Sequence, residues 1–493
     1  MLLCGAYGHG AMAFWVISRH RSNVSSHQSS RNAAGELAAF YGNTYSSYLP
    51  LFTSEEQNPT IPEVFLLTGR MRRLKYYRRN NVLFYCSTAS AGEEPPMKKI
   101  CVVLSVMMVL CVISLVPVWA QGGPIKVGVV LPLTGEQAKF GEIEKNSFLM
   151  GLEEINKAGG INGTPIELVI EDDTGKPDVG RSAVEKLISQ DKVIAVTGGY
   201  SSSVTYAVCA VAQQRKVPFL VTTGSADKIT EQGWDYVFRI GPPVSEYPKA
   251  LASFLTEVVK PQTVAILHEN TLFGQSGSKE FSQQCETLGI KVIMKEGYEA
   301  GAVDFKPLLI KVKAAKPDFV YMISYVMDAA LLMRQSKELN FNPKLFVGGA
   351  AGFTLPEFAA NAGDAAEYVF SADLWTPNLP YPGAREYFDK YKARFQTPTE
   401  YHGAQAYASI YVVADALKRA NPLTSDGVRN ALAATDMMTA FGPVKFVAYG
   451  KKKQQNSLPT YLVQWQKGVL ETVWPQNVAT KPYIYPVPEW SKR

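Results

Sequence analysis

Two loops rich in hydroxyl side chains are the first candidates for a ligand site. One lies in the stretch VIAVTGGYSSSVTYAV, where an apolar run leads through two glycines into three serines; the other, TTGSAD, follows the apolar run VPFLV. We name them the first hydroxyl loop (residues 198–203) and the second hydroxyl loop (residues 222–227). Their candidate ligand-binding residues are Ser201, Ser202, Ser203, Thr222, Thr223, Gly224 and Ser225.

The chemistry that these loops favour is the binding of a small anion. The first turn of a helix has amide N–H groups without intrahelical partners, and the helix dipole places partial positive charge there. Together with hydroxyl groups, such amides bind a carboxylate or a similar anion. The alternative is ordinary helix capping, worth about 1 kcal/mol, for which one serine is enough. Three serines and a second hydroxyl loop favour contact with a ligand.

Three aromatic residues follow other predicted strands and could form apolar walls. Phe140 follows IKVGVVLPL, Phe273 follows TVAILHEN and Tyr325 is the last residue of DFVYMISY. Small-molecule clefts are typically lined by such side chains with a few polar groups among them. We therefore predict that these three residues contribute to the same site as the hydroxyl loops.

Signals for catalysis are weak. The stretch GQSGS, residues 274–278, misses the G-x-S-x-G pattern of serine hydrolases at its final residue, and neither a P-loop nor a G-x-G-x-x-G after a strand is present. After residue 120 the only histidines are His268 and His402. No set of nucleophile, base and orienting group can be assembled, so we expect no catalytic residue, cofactor or metal.

The elements that would position these loops alternate between strands and helices. Short apolar runs are separated by amphipathic segments of ten or more residues, in two successive sets. This pattern predicts βαβ units, parallel sheets covered on both faces, and two doubly wound α/β lobes. Ligands of such sheets bind beyond the carboxyl ends of the strands, where the strand order reverses. The final segments are too short for a third lobe and are expected to return to the first two.

The amino-terminal part has a different composition. From Met97 two lysines precede a long apolar run that ends in Val118-Trp119-Ala120, which is typical of a secretory signal peptide at residues 97–120; an uncleaved anchor is the alternative. Because a signal works from a free amino terminus, we predict that residues 1–96 are a mis-annotated or disordered extension. Of the net charge of +6, residues 1–96 carry +3 and Lys98 and Lys99 carry +2, which leaves +1 for the remainder and gives no support for nucleic-acid binding.

Only Cys209 and Cys285 lie beyond residue 120, which is too few for a disulfide framework and matches no zinc motif. A buried thiol is the expected state of Cys209, and a disulfide between the two remains open.

The order and spacing of several motifs resemble the periplasmic leucine/isoleucine/valine-binding proteins, the substrate-binding subunits of hydrophobic amino acid ABC transporters. The resemblance covers about residues 125–474 and rests on the first βα segment from IKVGVVLPL to GGING, EDD after the second strand, both hydroxyl loops and NAGDAAEYVF. It implies the type I periplasmic binding protein fold, in which two Rossmann-like lobes are joined by three hinge crossovers. The domains expected are the extension and signal named above, lobe 1 (121–243 plus 374–449), lobe 2 (244–373 plus 450–480) and a tail (481–493).

In that family, groups of both hydroxyl loops hold the carboxylate of the ligand, and aromatics correspond to Phe140, Phe273 and Tyr325. The resemblance also reveals a departure. Where the family offers a glutamate to the ammonium of an amino acid, this chain has Ala350 or its neighbour Ala351. Because a buried ammonium needs a counter-charge, Glu246 and Asp328 are possible substitutes.

The resemblance implies an extracytoplasmic binding protein that captures a small, branched-chain type amino acid and delivers it to a membrane permease and ATPase. An aromatic or short aliphatic carboxylate without an amine is the main alternative ligand. A sensor ectodomain of the same fold and an exported hydrolase are the alternative functions.

Overall fold

The computed structural model describes residues 75–79, 82–86 and 123–493. The predicted signal peptide at 97–120 lies outside the described residues. Within the extension 1–96, the strands β1 (Lys75–Arg79) and β2 (Val82–Cys86) pair as an antiparallel hairpin. The sequence pattern did not predict this hairpin, because five-residue strands are too short to show a sustained period; both are nevertheless rich in residues that favour strands.

The rest of the described chain, residues 123–493, forms one compact unit that contains two seven-stranded sheets. Its strands, in chain order, are β3 (Ile125–Leu131), β4 (Ile166–Asp172), β5 (Ala195–Gly198), β6 (Phe219–Val221), β7 (Val237–Arg239), β8 (Thr263–Glu269), β9 (Lys291–Tyr298), β10 (Phe319–Ile323), β11 (Leu345–Gly348), β12 (Phe370–Asp373), β13 (Asp436–Thr439), β14 (Gly442–Lys445), β15 (Val447–Tyr449), β16 (Lys452–Gln455), β17 (Tyr461–Gln466) and β18 (Val469–Trp474).

The helices pack around these sheets. They are α1 (Ala138–Lys157), α2 (Pro177–Ser189), α3 (Ser202–Arg215), α4 (Lys249–Phe254), α5 (Leu272–Leu288), α6 (Lys306–Ala315), α7 (Val326–Glu338), α8 (Pro356–Ala362), α9 (Ala384–Phe395), α10 (Tyr401–Arg419) and α11 (Ser425–Ala433). Among the described residues, no helix is both long and apolar enough to cross a membrane.

Each sheet has the doubly wound topology that the sequence predicts. The first has the order β15-β16-β7-β6-β5-β3-β4 and the second β18-β17-β12-β11-β10-β8-β9. The five strands from β7 to β4 are parallel, as are those from β12 to β9. The chain crosses from β3 to β4 on one side and then to β5 on the other, so the strand order reverses beside β5. The predicted α/β class with two Rossmann-like lobes is confirmed.

The boundaries of the lobes differ from expectation at one crossover. Lobe 1 was expected to end at residue 449, but β16 belongs to the first sheet because Gln455 pairs in parallel with Arg239 of β7. The third crossover therefore follows Gln455. The segment 481–493, expected as a tail, packs on lobe 2, where the buried Trp490 donates a hydrogen bond from Nε1 to the Phe341 carbonyl oxygen at 2.9 Å.

Burial on both faces explains why the central strands are almost wholly apolar. In β3, Val127, Val129 and Val130 are completely buried, since helices cover both sides of a parallel sheet. On one of these sides α1 packs closely against α10. A Cβ atom at Gly151 of α1 would lie only 2.5 Å from Ile410 of α10, so the glycine permits this close approach. The packing fixes the first turn of α10 beside the carboxyl ends of the first sheet.

Candidate ligand-binding site

The two hydroxyl loops are neighbours because they follow β5 and β6, which pair in parallel. Backbone hydrogen bonds join them: the amide of Thr222 donates to the Gly198 carbonyl at 2.8 Å, and that of Gly224 to the Gly199 carbonyl at 2.8 Å. Gly198 has φ +103°, and a Cβ atom there would lie 2.4 Å from the Val130 carbonyl oxygen, so only glycine fits this turn.

The serines of the first hydroxyl loop contact groups outside α3. Ser201 is the N-cap residue of that helix, yet its side chain makes no capping hydrogen bond. The Oγ atom of Ser202 accepts hydrogen bonds from the amides of Ser225 and Ala226, at 3.2 and 3.1 Å. The Oγ atom of Ser203 accepts one from the amide of Leu272 in lobe 2, at 3.3 Å. One serine thus links the two hydroxyl loops and another links the two lobes.

A small cavity lies between the lobes at these loops, and we name it the cleft cavity. Its volume is about 20 Å³, close to that of one water, so a larger ligand can enter only if the lobes or the lining side chains move apart. Its lining residues are Tyr200, Ser202, Thr223, Ser225, Tyr247, Phe273, Tyr325, Ala351, Tyr401 and His402.

Five residues predicted for the site line the cleft cavity: Ser202, Thr223, Ser225, Phe273 and Tyr325. They come from both lobes, and the ring centroids of Phe273 and Tyr325 are 5.8 Å apart. Tyr325 also approaches Tyr200 of the first hydroxyl loop, with ring centroids 6.0 Å apart. The hydroxyl face and the aromatic face of the predicted site therefore meet at one cavity.

The other predicted residues lie just behind this lining. Phe140 is completely buried and stacks on Tyr200 with ring centroids 4.5 Å apart, so it supports the wall instead of forming it. The Thr222 hydroxyl turns toward Ser409 of α10, at 3.4 Å. Gly224 is limited to glycine because a Cβ atom there would lie 2.5 Å from Thr205.

At the position where the family offers a glutamate to the ammonium of its ligand, Ala351 and not Ala350 lines the cleft cavity. Both alanines have positive φ, +63° and +46°, and Ala350 has ψ −141°, a combination that residues with a Cβ rarely adopt. The amide of Ala351 donates a hydrogen bond to the Tyr401 hydroxyl across the lobes at 3.0 Å. Backbone strain is thus stored at the turn where lobe 2 meets α10.

Four lining residues were not predicted: Tyr200, Tyr247, Tyr401 and His402. Tyr200 lies within the first hydroxyl loop, so its position was a usable signal. Tyr247 follows the first crossover, and Tyr401 and His402 form the first turn of α10, a helix that returns to lobe 1 after the second crossover. No strand directly precedes α10, so a search of the residues that follow each predicted strand does not identify Tyr401 and His402.

The phenol groups at the cleft are neutral hydrogen-bond donors. Burial raises the pKa of Tyr200 well above its usual range, and it raises the pKa of Tyr247 to about 12. The Tyr200 hydroxyl is buried and has no hydrogen-bond partner. A buried polar group in this state favours a ligand oxygen or nitrogen beside it, because leaving it unpaired costs about 1–3 kcal/mol.

The carboxyl groups suggested as substitutes for an ammonium partner lie elsewhere. Glu246 accepts a hydrogen bond from the Tyr449 hydroxyl at 2.7 Å and pairs with Lys249 at 3.2 Å. Asp328 accepts from the amide of Gly301 at 3.2 Å and lines a separate cavity of about 380 Å³. Neither residue lines the cleft cavity, so this suggestion is wrong for the conformation described.

Two other buried carboxyl groups lie one contact behind the cavity lining. Glu144 accepts a hydrogen bond from Thr223 Oγ1 at 2.7 Å, and burial raises its pKa well above the usual range. Glu400 lies 2.6 Å from Nδ1 of His402 and caps α10 by accepting its backbone amide. The lining itself carries no carboxylate.

A buried arginine supports the second hydroxyl loop from behind. Arg239 is completely buried, and its Nη1 atom donates to the carbonyls of Gly224 and Ala226 at 3.1 and 2.8 Å. Further donors reach Gln455 at 2.7 Å and Thr230 at 3.0 Å. The guanidinium therefore holds these two carbonyl groups in place, while the amides of Ser225 and Ala226 donate to Ser202. It also places a positive charge behind the second hydroxyl loop.

The residues considered for catalysis do not assemble. His268 contacts the carbonyl oxygen of Glu269 at 3.0 Å, and neither His268 nor Ser276, the central serine of GQSGS, lines the cleft cavity. Within the described residues no cluster of three or more potential metal ligands occurs. Cys209 and Cys285 are both buried and unpaired.

Comparison with known proteins agrees with this architecture. A family model described as periplasmic binding protein matches residues 124–469. The leucine-, isoleucine-, valine-, threonine-, and alanine-binding protein of Pseudomonas aeruginosa is 32% identical over 349 residues, which are 71% of this chain and 91% of that protein. A Leu/Ile/Val-binding protein homolog of Brucella suis is 28% identical over 72% of this chain and 92% of that protein.

Solved structures show the same fold. The branched-chain amino acid transporter substrate binding protein LivJ from Streptococcus pneumoniae, in complex with isoleucine, matches with a TM-score of 0.65 and 26% identity over 71% of this chain and all of that one. A solute binding protein from R. palustris, in complex with benzoate, matches with a TM-score of 0.64 over 74% of this chain and 98% of that one; at 19% identity this likeness concerns the fold alone. With a family model that spans well over half of its length and a relative above 30% identity, the chain belongs to the periplasmic binding protein family.

Proposed function

We propose that this protein is the solute-binding subunit of an ABC importer and that it captures a small hydrophobic amino acid of the branched-chain type between its lobes. The observation that carries the proposal is the Ser202 hydroxyl. It accepts two amides of the second hydroxyl loop and lines the cleft cavity, so its own proton is free to donate to a ligand carboxylate. The names of the relatives, which bind branched-chain amino acids, support the same ligand class.

Ligand capture requires contacts that exist only when the lobes are closed. The hydrogen bond from Leu272 to Ser203 and the one from Ala351 to Tyr401 both cross between the lobes. Phe273 and Tyr325 of lobe 2 then cover the apolar body of a ligand whose carboxylate rests on lobe 1. A ligand stabilises the closed form only to the extent that it binds that form better than the open one.

A second candidate ligand is a carboxylate without an amine. The observation that favours it is the absence of a carboxylate from the lining of the cleft cavity. An ammonium ion enclosed there would have to rely on carboxyl groups behind the lining, such as Glu144 and Glu400, each of which already contacts a lining residue. Aromatic side chains, by contrast, suit an aromatic or short aliphatic acid.

The proposal includes export and delivery. A protein of this kind would be directed to the periplasm by the signal at residues 97–120 and would present its closed form to a permease driven by an ATPase. It would bind its ligand without chemical change, since neither His268 nor Ser276, the central serine of GQSGS, lines the cleft cavity.

Isothermal titration of refolded, ligand-free protein tests the ligand class. Leucine, isoleucine and valine are compared with 4-methylpentanoate, which is leucine without its amine, and with benzoate. We expect leucine to bind at least tenfold more tightly than 4-methylpentanoate, because a charged group with a buried counter-charge contributes about 1.5–3 kcal/mol. Tighter binding of 4-methylpentanoate or benzoate would establish the second candidate. No binding of any of these compounds would refute both.

A further inference from the structure

A third cavity, distinct from the cleft cavity and from the one lined by Asp328, lies beside the second crossover, and we name it the hinge cavity. It has a volume of about 400 Å³, within the range of small-molecule sites, and it shares no lining residue with the cleft cavity. Its walls come from α8, from the crossover at residues 375–378, from α9 and the loop after it, and from the β17–β18 hairpin. Both lobes therefore contribute to it.

Two buried polar side chains in the wall of the hinge cavity have unused hydrogen-bonding atoms. Glu400 is 8% exposed and Thr376 is 7% exposed, and both line the cavity. The Oε1 atom of Glu400 and the Oγ1 atom of Thr376 are buried and have no hydrogen-bond partner. Because unpaired buried groups of this kind are costly, both atoms are suited to a polar group inside the cavity.

The charged residues of the lining are mostly acidic. They are Asp373, Glu400 and Glu471, with Lys392 as the single basic residue. Asp373 is 2% exposed, and its Oδ1 atom accepts hydrogen bonds from the amides of Leu374 and Trp375. Burial raises the pKa of Asp373 to about 8, because the protein alone stabilises the ionised form of this carboxyl group poorly. A cation in the cavity would supply the missing compensation.

Aromatic side chains provide the rest of the wall. Trp375, Phe388 and Trp465 line the cavity. The indole nitrogens of both tryptophans are already engaged, with Ala440 and Phe353 carbonyls at 2.8 Å each, so they have no donor left for a ligand. Aromatic faces attract ammonium groups and also pack against apolar groups.

We propose that the hinge cavity is a second binding site, which takes a small organic ammonium ion with an apolar or aromatic body. The ammonium group contacts Asp373, Glu400 and Thr376, and the body packs against the aromatic wall. Glu400 also holds His402 at 2.6 Å, and His402 lines the cleft cavity. A ligand in the hinge cavity is therefore linked to the cleft through this one side-chain contact, and any effect of one ligand on the affinity of the other must be reciprocal.

Titration with 2-phenylethylamine as the probe tests this site, with 2-phenylethanol and phenylacetate as neutral and anionic controls. We expect the amine to bind in a 1:1 ratio and both controls to bind at least about tenfold more weakly. The variants Asp373→Asn and Thr376→Val should each weaken amine binding, by about tenfold for the former because a hydrogen bond to a charged group is lost. Asp389→Asn, on the exposed side of α9, is the matched control and should bind the amine like the original chain.

Three results would overturn the inference. The first is the absence of any heat of binding with the amine at millimolar concentration. The second is equal affinity for the amine and the alcohol. The third is loss of amine binding in Ser202→Ala together with unchanged binding in Asp373→Asn, which would place the probe in the cleft cavity. Circular dichroism checks that each variant is folded. If Asp373→Asn fails to fold, Thr376→Val decides, since it replaces a hydroxyl without a partner by a group of similar shape.

Discussion

Replacement of Ser202 by alanine separates a ligand contact from a structural one. The side chain is 2% exposed and accepts two amides, at 3.2 and 3.1 Å, so its loss leaves both N–H groups without an acceptor. Each unsatisfied buried amide costs about 1–3 kcal/mol, but both distances are long for hydrogen bonds. We therefore expect the free energy of unfolding to fall by a total of about 2 kcal/mol.

The effect on affinity has a different origin. A hydroxyl that accepts two amides is polarised and donates its proton more strongly, and a hydrogen bond to a carboxylate contributes about 1.5–3 kcal/mol. Ser202→Ala should therefore weaken ligand binding about 10- to 100-fold. Isothermal titration with the tightest ligand of the panel gives the affinity, and urea denaturation gives the stability.

Ser182→Ala provides the control, because that serine is exposed on α2 and bonds only to the Asp178 carbonyl of its own helix. It should change neither quantity. An affinity within twofold of the original in Ser202→Ala, together with reduced stability, would mean that Ser202 only holds the two loops together. That result would refute our assignment of the carboxylate to this hydroxyl.

Two further substitutions test other parts of the site. Tyr200→Phe removes a buried hydroxyl that has no hydrogen-bond partner, so we expect urea denaturation to show a ligand-free protein of equal or greater stability. Titration should show weaker ligand binding. Unchanged affinity would exclude Tyr200 as a ligand contact. Arg239→Met leaves two loop carbonyls without their donors and should lower the free energy of unfolding by about 3–5 kcal/mol, and ligand binding should weaken because the second hydroxyl loop is released. Arg181→Met, at an exposed position, should alter neither, and a loss below 1 kcal/mol in the Arg239 variant would contradict its supporting role.

The part of the site that the sequence predicts best is built from consecutive strands. Alternating apolar runs and amphipathic segments identify a parallel sheet, and the carboxyl ends of its strands necessarily share one edge. Ser202 and Thr223 could therefore be placed together from sequence alone, although they are 21 positions apart. The lobe boundary near residue 449 was harder to predict, because the strand β15 has only three residues and the strand β16 is polar.

Residues that depend on tertiary packing were not found. Tyr401 and His402 reach the cleft only because α10 packs on α1 through the space above Gly151, a contact between segments some 250 residues apart. Phe140 is of a residue type that suits the wall of a cavity, but it lies behind Tyr200 and does not reach the cleft cavity. Whether an aromatic side chain faces a cavity or supports its wall is a matter of a few ångströms, which periodicity does not resolve.

The residues that the sequence predicts and those that it misses also have different proposed roles. The former bind the carboxylate of the ligand, and the latter help to select one carboxylate over another. The proposed carboxylate contacts come from backbone amides and one serine at adjacent strand ends. Proteins with the same sheet edge can therefore bind a carboxylate in the same way, whatever the rest of their ligand is. Discrimination between an amino acid and a simple acid depends on a negative charge near the ammonium group, and the carboxyl groups that contact the lining are Glu144 behind Thr223 and Glu400 behind His402. The affinity ratio between leucine and 4-methylpentanoate therefore measures whether these two carboxyl groups, one layer behind the lining, act on the ligand.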